Sequence, residues 1–347
     1  MYEITALRSL RQLEAIRDEW ASLWNRCTYA TAFQRPEWLL AWWRHFGKWD
    51  LWSIALRSNG RLSGLAPLFI QDRGKRILSF IGTGITDYMD VLLEEGAEET
   101  GARELMGFIF RNRAIWDHCH LEQLRDCSPL AKPGEWVHEN GFIIESASYA
   151  VCPVISLPEN AEQFECGLSR SFRMRVRRAI KNAVSLKDGI RFETATRKTL
   201  PEFMDALFSL HVKWWQRRNA TGILSGRGIL EFHSEISEKF MEMDMLRLYG
   251  MRYGGRLRAV VYAFACRDRI YSYIGGFDPD IEDLSPGTLI IQYAVKEAIR
   301  EGFREFDFLR GGEKYKYLWS AKDRLNRHIL IRQCRPLPAS IDKPACI

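Results

Sequence analysis

The stretch LWSIALRSNGRLSGLAPLF at residues 51–69 lies over LRLYGMRYGGRLRAVVYAF at residues 246–264 without a gap. The two share Leu51/Leu246, Arg57/Arg252, Gly60/Gly255, Arg61/Arg256, Leu62/Leu257 and Phe69/Phe264. Each reads as a strand, a glycine-containing turn and a second strand. Upstream, YEITALRSLRQLEAI resembles FETATRKTLPEFMDAL, a short alternating strand followed by a helix whose apolar positions recur at three and four. Self-similarity on this scale points to two copies of one unit.

Outward from the repeat, both halves run strand, helix, helix, hairpin, helix, strand. The first half places these at 2–7, 10–26, 35–46, 51–70, 97–112 and 116–122, and the second at 190–196, 200–218, 227–243, 246–276, 286–301 and 304–309. The expected fold class is α/β with a mixed sheet, built twice. Pro129, Pro133, Gly134, Pro153 and Pro158 punctuate the connecting stretch and suit a boundary near residue 150. The expected units are 1–150 and 151–335, followed by a loose tail over 336–347. The second unit adds a helix at 167–184 and a final strand, RHILIRQ.

Composition narrows the function classes. The 347 residues are 46% hydrophobic and 27% charged, ordinary globular usage, and no run approaches the roughly 20 apolar residues that span a bilayer. The N-terminal residues lack the cationic and apolar regions of a signal peptide, so a cytoplasmic location is expected. Eight cysteines lie scattered with no Cys-x-x-Cys pair, as reduced and mostly buried thiols do. His118 and His120 alternate in an expected strand, but no second ligand pair stands at a zinc-like spacing, so no metal site is expected. A net charge of +6 favours an anionic ligand and is too mixed for DNA binding. The absence of Gly-x-Ser-x-Gly, Walker and Gly-x-Gly-x-x-Gly patterns argues against that type of hydrolase, a P-loop enzyme and a dinucleotide oxidoreductase.

Four regions can carry chemistry. The helix opened by Leu284-Ser285-Pro286-Gly287-Thr288 has Ser285 as its expected cap, and its N-terminus at a sheet edge suits an anion at Gly287 and Thr288. The strand end Asp307-Phe308-Leu309-Arg310-Gly311-Gly312 leads into Glu313-Lys314-Tyr315-Lys316. There Asp307 can accept a proton, while Arg310, Lys314 and Lys316 can hold phosphate or stabilise an oxyanion; the same residues also fit a structural ion pair and a solvated loop. On the 167–184 helix, Arg170, Arg173, Arg177 and Lys181 form one cationic face, suited equally to solvent or to an anionic partner. On the 200–218 helix, Trp214 and Trp215 can wall an acceptor pocket and His211 can act as a base, although aromatic and histidine residues on helices more often serve the core.

The segments TAFQRPEWLLAWWRHFG, LSFIGTGITDYMDVLL, LSRSFRMRVRRAIKNA and LSPGTLIIQYAVKEAIREGFREFDFLRGGEKYKYLW resemble the acetyltransferase-like proteins of bacterial cellulose and exopolysaccharide loci, the CelD type within the GNAT superfamily. The resemblance implies two tandem GNAT folds, as in Fem-type aminoacyltransferases, with the donor bound by the second copy. It implies an N-acyltransferase that moves an acyl group, acetyl or longer, from acyl-CoA to a small-molecule amine, on an amino sugar or an amino acid. Asp307 or His211 would take the amine proton, Lys316 would stabilise the oxyanion and Tyr315 would protonate the thiolate. Ser285, Gly287 and Thr288 would hold the pyrophosphate with Arg173 and Arg177 assisting; no metal and no membrane insertion are implied. The turn Glu282–Gly287 offers one glycine where acyl-CoA binders usually carry two, and Tyr315-Lys316 resembles the Fem-type Phe-Lys. Aminoacyl-tRNA therefore stays open as the alternative donor, and a non-catalytic scaffold for polysaccharide synthesis as a third reading.

Overall fold

The computed structural model describes residues 2–135, 141–186, 189–217, 219, 222, 224 and 226–333. The expected tail therefore lies outside the described residues. The first half runs β1 (Tyr2–Leu7), α1 (Leu10–Ala15), α2 (Arg17–Arg26), α3 (Pro36–Phe46), β2 (Asp50–Leu51), β3 (Ser53–Ser58), β4 (Arg61–Ala66), β5 (Leu68–Asp72), β6 (Arg76–Phe80), β7 (Leu92–Leu93), α4 (Glu98–Arg111) and β8 (His118–Arg125). Then come β9 (Phe142–Ser156), α5 (Ala161–Gly167), α6 (Arg170–Val184), β10 (Ile190–Thr194), α7 (Leu200–Gln216), α8 (Arg227–Glu242), β11 (Leu246–Tyr253), β12 (Arg256–Cys266), β13 (Arg269–Phe277), α9 (Pro286–Arg300), β14 (Glu305–Asp307), α10 (Lys314–Tyr317) and β15 (Lys322–Gln333).

The repeat read from the sequence extends to local geometry. Asn59-Gly60 and Gly254-Gly255 both take positive φ, as two-residue hairpin turns require. The hairpin register slips at Leu56/Arg57 in one half and at Met251/Arg252 in the other. In each case the arginine beyond the slip donates to the carbonyl of the turn glycine, Gly60 or Gly255, and to a helix carboxylate, Glu19 or Glu202. Each half also contains one parallel pair, β6 with β8 and β13 with β14, joined by a helical crossover.

The halves exchange their closing strands. β9, which follows β8, pairs with β14 of the second half, whereas β15, which follows β14, pairs with β8 of the first half. β9 and β15 then pair with each other from Phe142↔Gln333 to Val154↔Lys322, and the result is one sheet in the order β10-β11-β12-β13-β14-β9-β15-β8-β6-β5-β2. Residue 150 lies inside β9. The packing follows the exchange: Ile329 and Ile331 of β15 sit in the first half's core, Ile155 of β9 sits in the second half's core, and a third core mixes both halves. Trp38 stands in that mixed core, fully buried, with its indole edge on Phe232, Phe264 and Tyr273 and its Nε1 donating to Thr86 Oγ1.

Removing the Trp38 ring leaves a cavity between two halves that cannot separate to close it. Trp38→Ala is expected to cost about 3–5 kcal/mol in urea denaturation. A loss below about 1 kcal/mol would show that the mixed core adds little.

Candidate functional site

The parallel strands of the second half part company. β13 and β14 pair only over Arg269–Tyr271 with Glu305–Asp307. Beyond that point β13 follows β12 as far as Phe277, while the chain after β14 follows β9, with Phe308 N donating to Pro153 O and Gly311 N to Val151 O. A gap therefore opens at the carboxyl ends of the parallel pair, the place where crossover folds bind ligands. Because α9 is the crossover, its N-terminus lies at the same end.

The expected cap does not form. Ser285 takes φ 55, ψ 50, and its side chain makes no capping bond; its carbonyl instead accepts from Thr288 N and Leu289 N. A residue before proline favours extended backbone, so Ser285 is held left-handed against that preference. Gly287 packs beneath an aromatic wall: a Cβ placed there would come within 3.4 Å of the Phe277 ring, and Trp214 lies 4.0 Å from that ring. Upstream, Asp278 and Asp280 are neutralised by Lys213, and Asp278 also by Arg258. Helix α6 packs against α9 and against the 279–284 turn. Of its two expected phosphate ligands, Arg173 donates to the Glu165 and Cys166 carbonyls, and Arg177 stands 3.9 Å from the Glu165 carboxylate.

At the base of the gap the first half covers the second. Asp307 is 1% exposed; its Oδ2 accepts from Tyr88 Oη at 2.7 Å and its Oδ1 from Leu309 N at 2.8 Å. The latter bond holds Leu309 at φ 57, a strained value for a leucine. Arg310 Nε meets Asp87 Oδ1 at 3.2 Å, and Tyr273 Oη donates to Ile85 O at 2.5 Å. Asn326 of β15 donates to the Asp87 carbonyl and to Gln123 Oε1, both at 2.9 Å. Arg125 stacks beneath the Tyr88 ring at 5.3 Å. Burial pushes both Asp87 and Asp307 up to about 6; Arg310 and Lys316 act against it at Asp87, and Tyr88 and the Leu309 amide act against it at Asp307. Asp90, bonded to Ser128 Oγ, is pushed up to about 7, again by burial.

Lys316 is buried, and its ammonium is fully engaged. Nζ donates to the carbonyls of Leu309, Arg310 and Gly311 at 3.3, 3.1 and 2.9 Å and meets Glu313 Oε2 at 2.8 Å. Positive φ at Leu309 and Gly311 turns these carbonyls inward, so the lysine holds the loop's shape. Tyr315 is 45% exposed with its ring edge toward Phe308, and Lys314 is exposed. His211 is buried elsewhere, with Nδ1 on Gly275 O at 3.3 Å and Trp215 beside its ring. Burial lowers its basicity. The structure thus brings together Asp307, Arg310 and Lys316, and separately Trp214 with Gly287. Asp87, Tyr88, Arg125 and Asn326 were not singled out by spacing. ITDYMD, with two acids and a tyrosine in an otherwise apolar stretch, was the available signal.

Residues 170–317 match the family model of the acetyltransferase (GNAT) domain. Among solved structures, FemX aligns with a TM-score of 0.64 at 10% identity, over 94% of this chain and 96% of that one. A tandem GNAT protein from the clavulanic acid biosynthesis pathway aligns with a TM-score of 0.51 at 11% identity, over 97% and 100%. L-PGS from Bacillus licheniformis aligns with a TM-score of 0.51 at 10% identity, over 84% and 90%. No curated protein matches the sequence. Among the described residues, no helix is long and apolar enough to cross a membrane.

The Tyr88–Asp307 bond makes stability depend on pH. A carboxyl raised to about 6 keeps its proton in the folded state when the unfolded chain has released it, so its contribution to stability declines from about pH 4 to pH 6.5. The Tyr88 hydroxyl favours the ionised form; Tyr88→Phe raises Asp307 further and is expected to cost about 1 kcal/mol more at pH 7.5 than at pH 4 in urea denaturation. A cost independent of pH would contradict this assignment. With its parted strands, parallel crossover and internal repeat, the chain has a tandem GNAT fold, and residues 170–317 of its second half match the acetyltransferase (GNAT) domain model.

Proposed function

We propose that the protein is an N-acyltransferase that moves an acyl group from acyl-CoA to the amine of a small acceptor. The observation that carries this reading is the gap between β13 and β14, with the α9 N-terminus at its mouth and the buried acids Asp87 and Asp307 at its base. Along the gap, β13 leaves backbone groups beyond Tyr271 without a β14 partner, which suits an extended amide-bearing chain such as pantetheine. The Gly287 amide and the cations of α6 suit its phosphates.

In this reading Asp307, assisted by Asp87, takes the proton of the acceptor ammonium, and values of about 6 suit a base that works near neutrality. As the new C–N bond forms and the C–S bond breaks, Arg310 balances charge developing on the acyl oxygen. Tyr315, at the exposed edge of the loop, protonates the departing thiolate and regains a proton from the nitrogen as the amide forms, while Asp307 keeps the first one. Lys316 keeps the 309–311 carbonyls in place and reaches the acyl oxygen only by releasing Glu313. His211 is left out of proton transfer, because its ring serves α7 and β13. The acceptor fits an amino sugar or amino acid of exopolysaccharide synthesis, as the CelD resemblance implies, and the setting is cytoplasmic. Aminoacyl-tRNA is the second reading, favoured by the single glycine at the bend and by the cationic face of α6.

Thermal shift with coenzyme A, acetyl-CoA, longer acyl-CoAs and bulk tRNA separates the donors. Stabilisation by coenzyme A species alone, together with thiol release that falls about 10²–10⁴-fold in Asp307→Asn, is the expected result. Stabilisation by tRNA alone, with salt-sensitive binding, would move the assignment to the second reading.

A further inference from the structure

The exchange of strands creates a second cluster, on a different face of the sheet. In β8, His120 and Glu122 share one half-exposed face, while Cys119, Leu121 and Gln123 point into the buried side. β15 lies alongside, and its register slips between Arg327 and Ile329, so that His328 stands in the irregular step. Gln123, opposite this step, takes φ 56. The slip brings the His328 ring edge-on to His120, with centroids 5.5 Å apart. The donor atoms of His120, Glu122 and His328 all lie within 4.8 Å of one another.

Nε2 of His120 and Nε2 of His328 are both buried without a hydrogen-bond partner. Among the described residues, the Glu122 carboxylate makes no hydrogen bond or ion pair. Leaving two imidazole nitrogens dry and unbonded side by side costs about 1–3 kcal/mol each, a penalty that folded proteins rarely leave standing without a ligand. Two imidazoles and a carboxylate are the donor set of borderline divalent ions, and small side-chain rotations bring such donors to the roughly 3.3 Å separation found around a tetrahedral ion.

We propose that His120, Glu122 and His328 bind one divalent transition-metal ion of the zinc type, with a fourth position left to water. The ion ties β8 of the first half to β15 of the second. It does so on the strands whose buried face presents Gln123 and Asn326, the pair that holds the Asp87 backbone. Its role is to pin the irregular step under the composite site. The expectation of no metal rested on spacing within one strand; the third donor comes from the other end of the chain.

The test uses the full chain made without a histidine tag, loaded with Zn²⁺, freed of excess by gel filtration and assayed by elemental analysis. One zinc per chain is expected, with a rise in the unfolding temperature on loading. His328→Ala and Glu122→Gln are each expected to weaken zinc binding by at least about tenfold and to abolish that rise. His328→Gln, which keeps a polar side chain of similar reach, serves if the alanine variant fails to fold. Absence of stoichiometric zinc in the wild type, or zinc retained equally by the variants, would overturn the site.

Discussion

The exchange of closing strands is the constraint on which the rest of the molecule depends. β9 leaves the first half to complete the second, and β15 returns to complete the first. Each parallel pair is completed by a strand of the opposite copy, while β1, β3, β4 and β7 form a separate four-stranded sheet within the first half. A single eleven-stranded sheet results, and with it a core in which Trp38 and Phe33 pack on Phe264 and Tyr273.

That geometry sets two similar units in different surroundings. Once the halves are locked together, the 85–90 segment of the first lies over the parted strands of the second. Tyr88 reaches Asp307, Asp87 reaches Arg310, and Tyr273 reaches back to Ile85. The first copy thereby becomes a wall of the second copy's site. Burial in this shared space raises two carboxyls to about 6, and Lys316 fixes the loop that carries one of their partners. Where the corresponding helix of the first half begins, Glu98 and Glu99 occupy the first turn, whereas α9 has no acid there. An anion is therefore better placed in the second half.

Much of this was legible in the sequence, and the division is physical. Helices and hairpins declare themselves through local periodicity and turn chemistry, so the element order and the repeat at 51–69 and 246–264 could be read directly. Asp307, Arg310 and Lys316 stand within one loop and were visible together. The strand exchange was not, since pairing between β9 and β15 joins residues far apart in the chain, and the same holds for Tyr88, Asn326 and His328. Ser285 stands before a proline and an apolar helix, a pattern that suits a cap, yet its left-handed backbone leaves the side chain without a capping bond. His211 lies with Nδ1 on the Gly275 carbonyl, a partner from β13 that its position on a helix does not disclose.

Native-state hydrogen exchange tests the central claim most directly. If the exchanged strands make the halves one unit, amides of β8, β9, β14 and β15 exchange only through global unfolding and share one free energy across both halves. Opening of the β8 and β6 amides at a distinctly lower free energy, while β13 and β14 remain protected, would contradict the account and return the halves to independent domains.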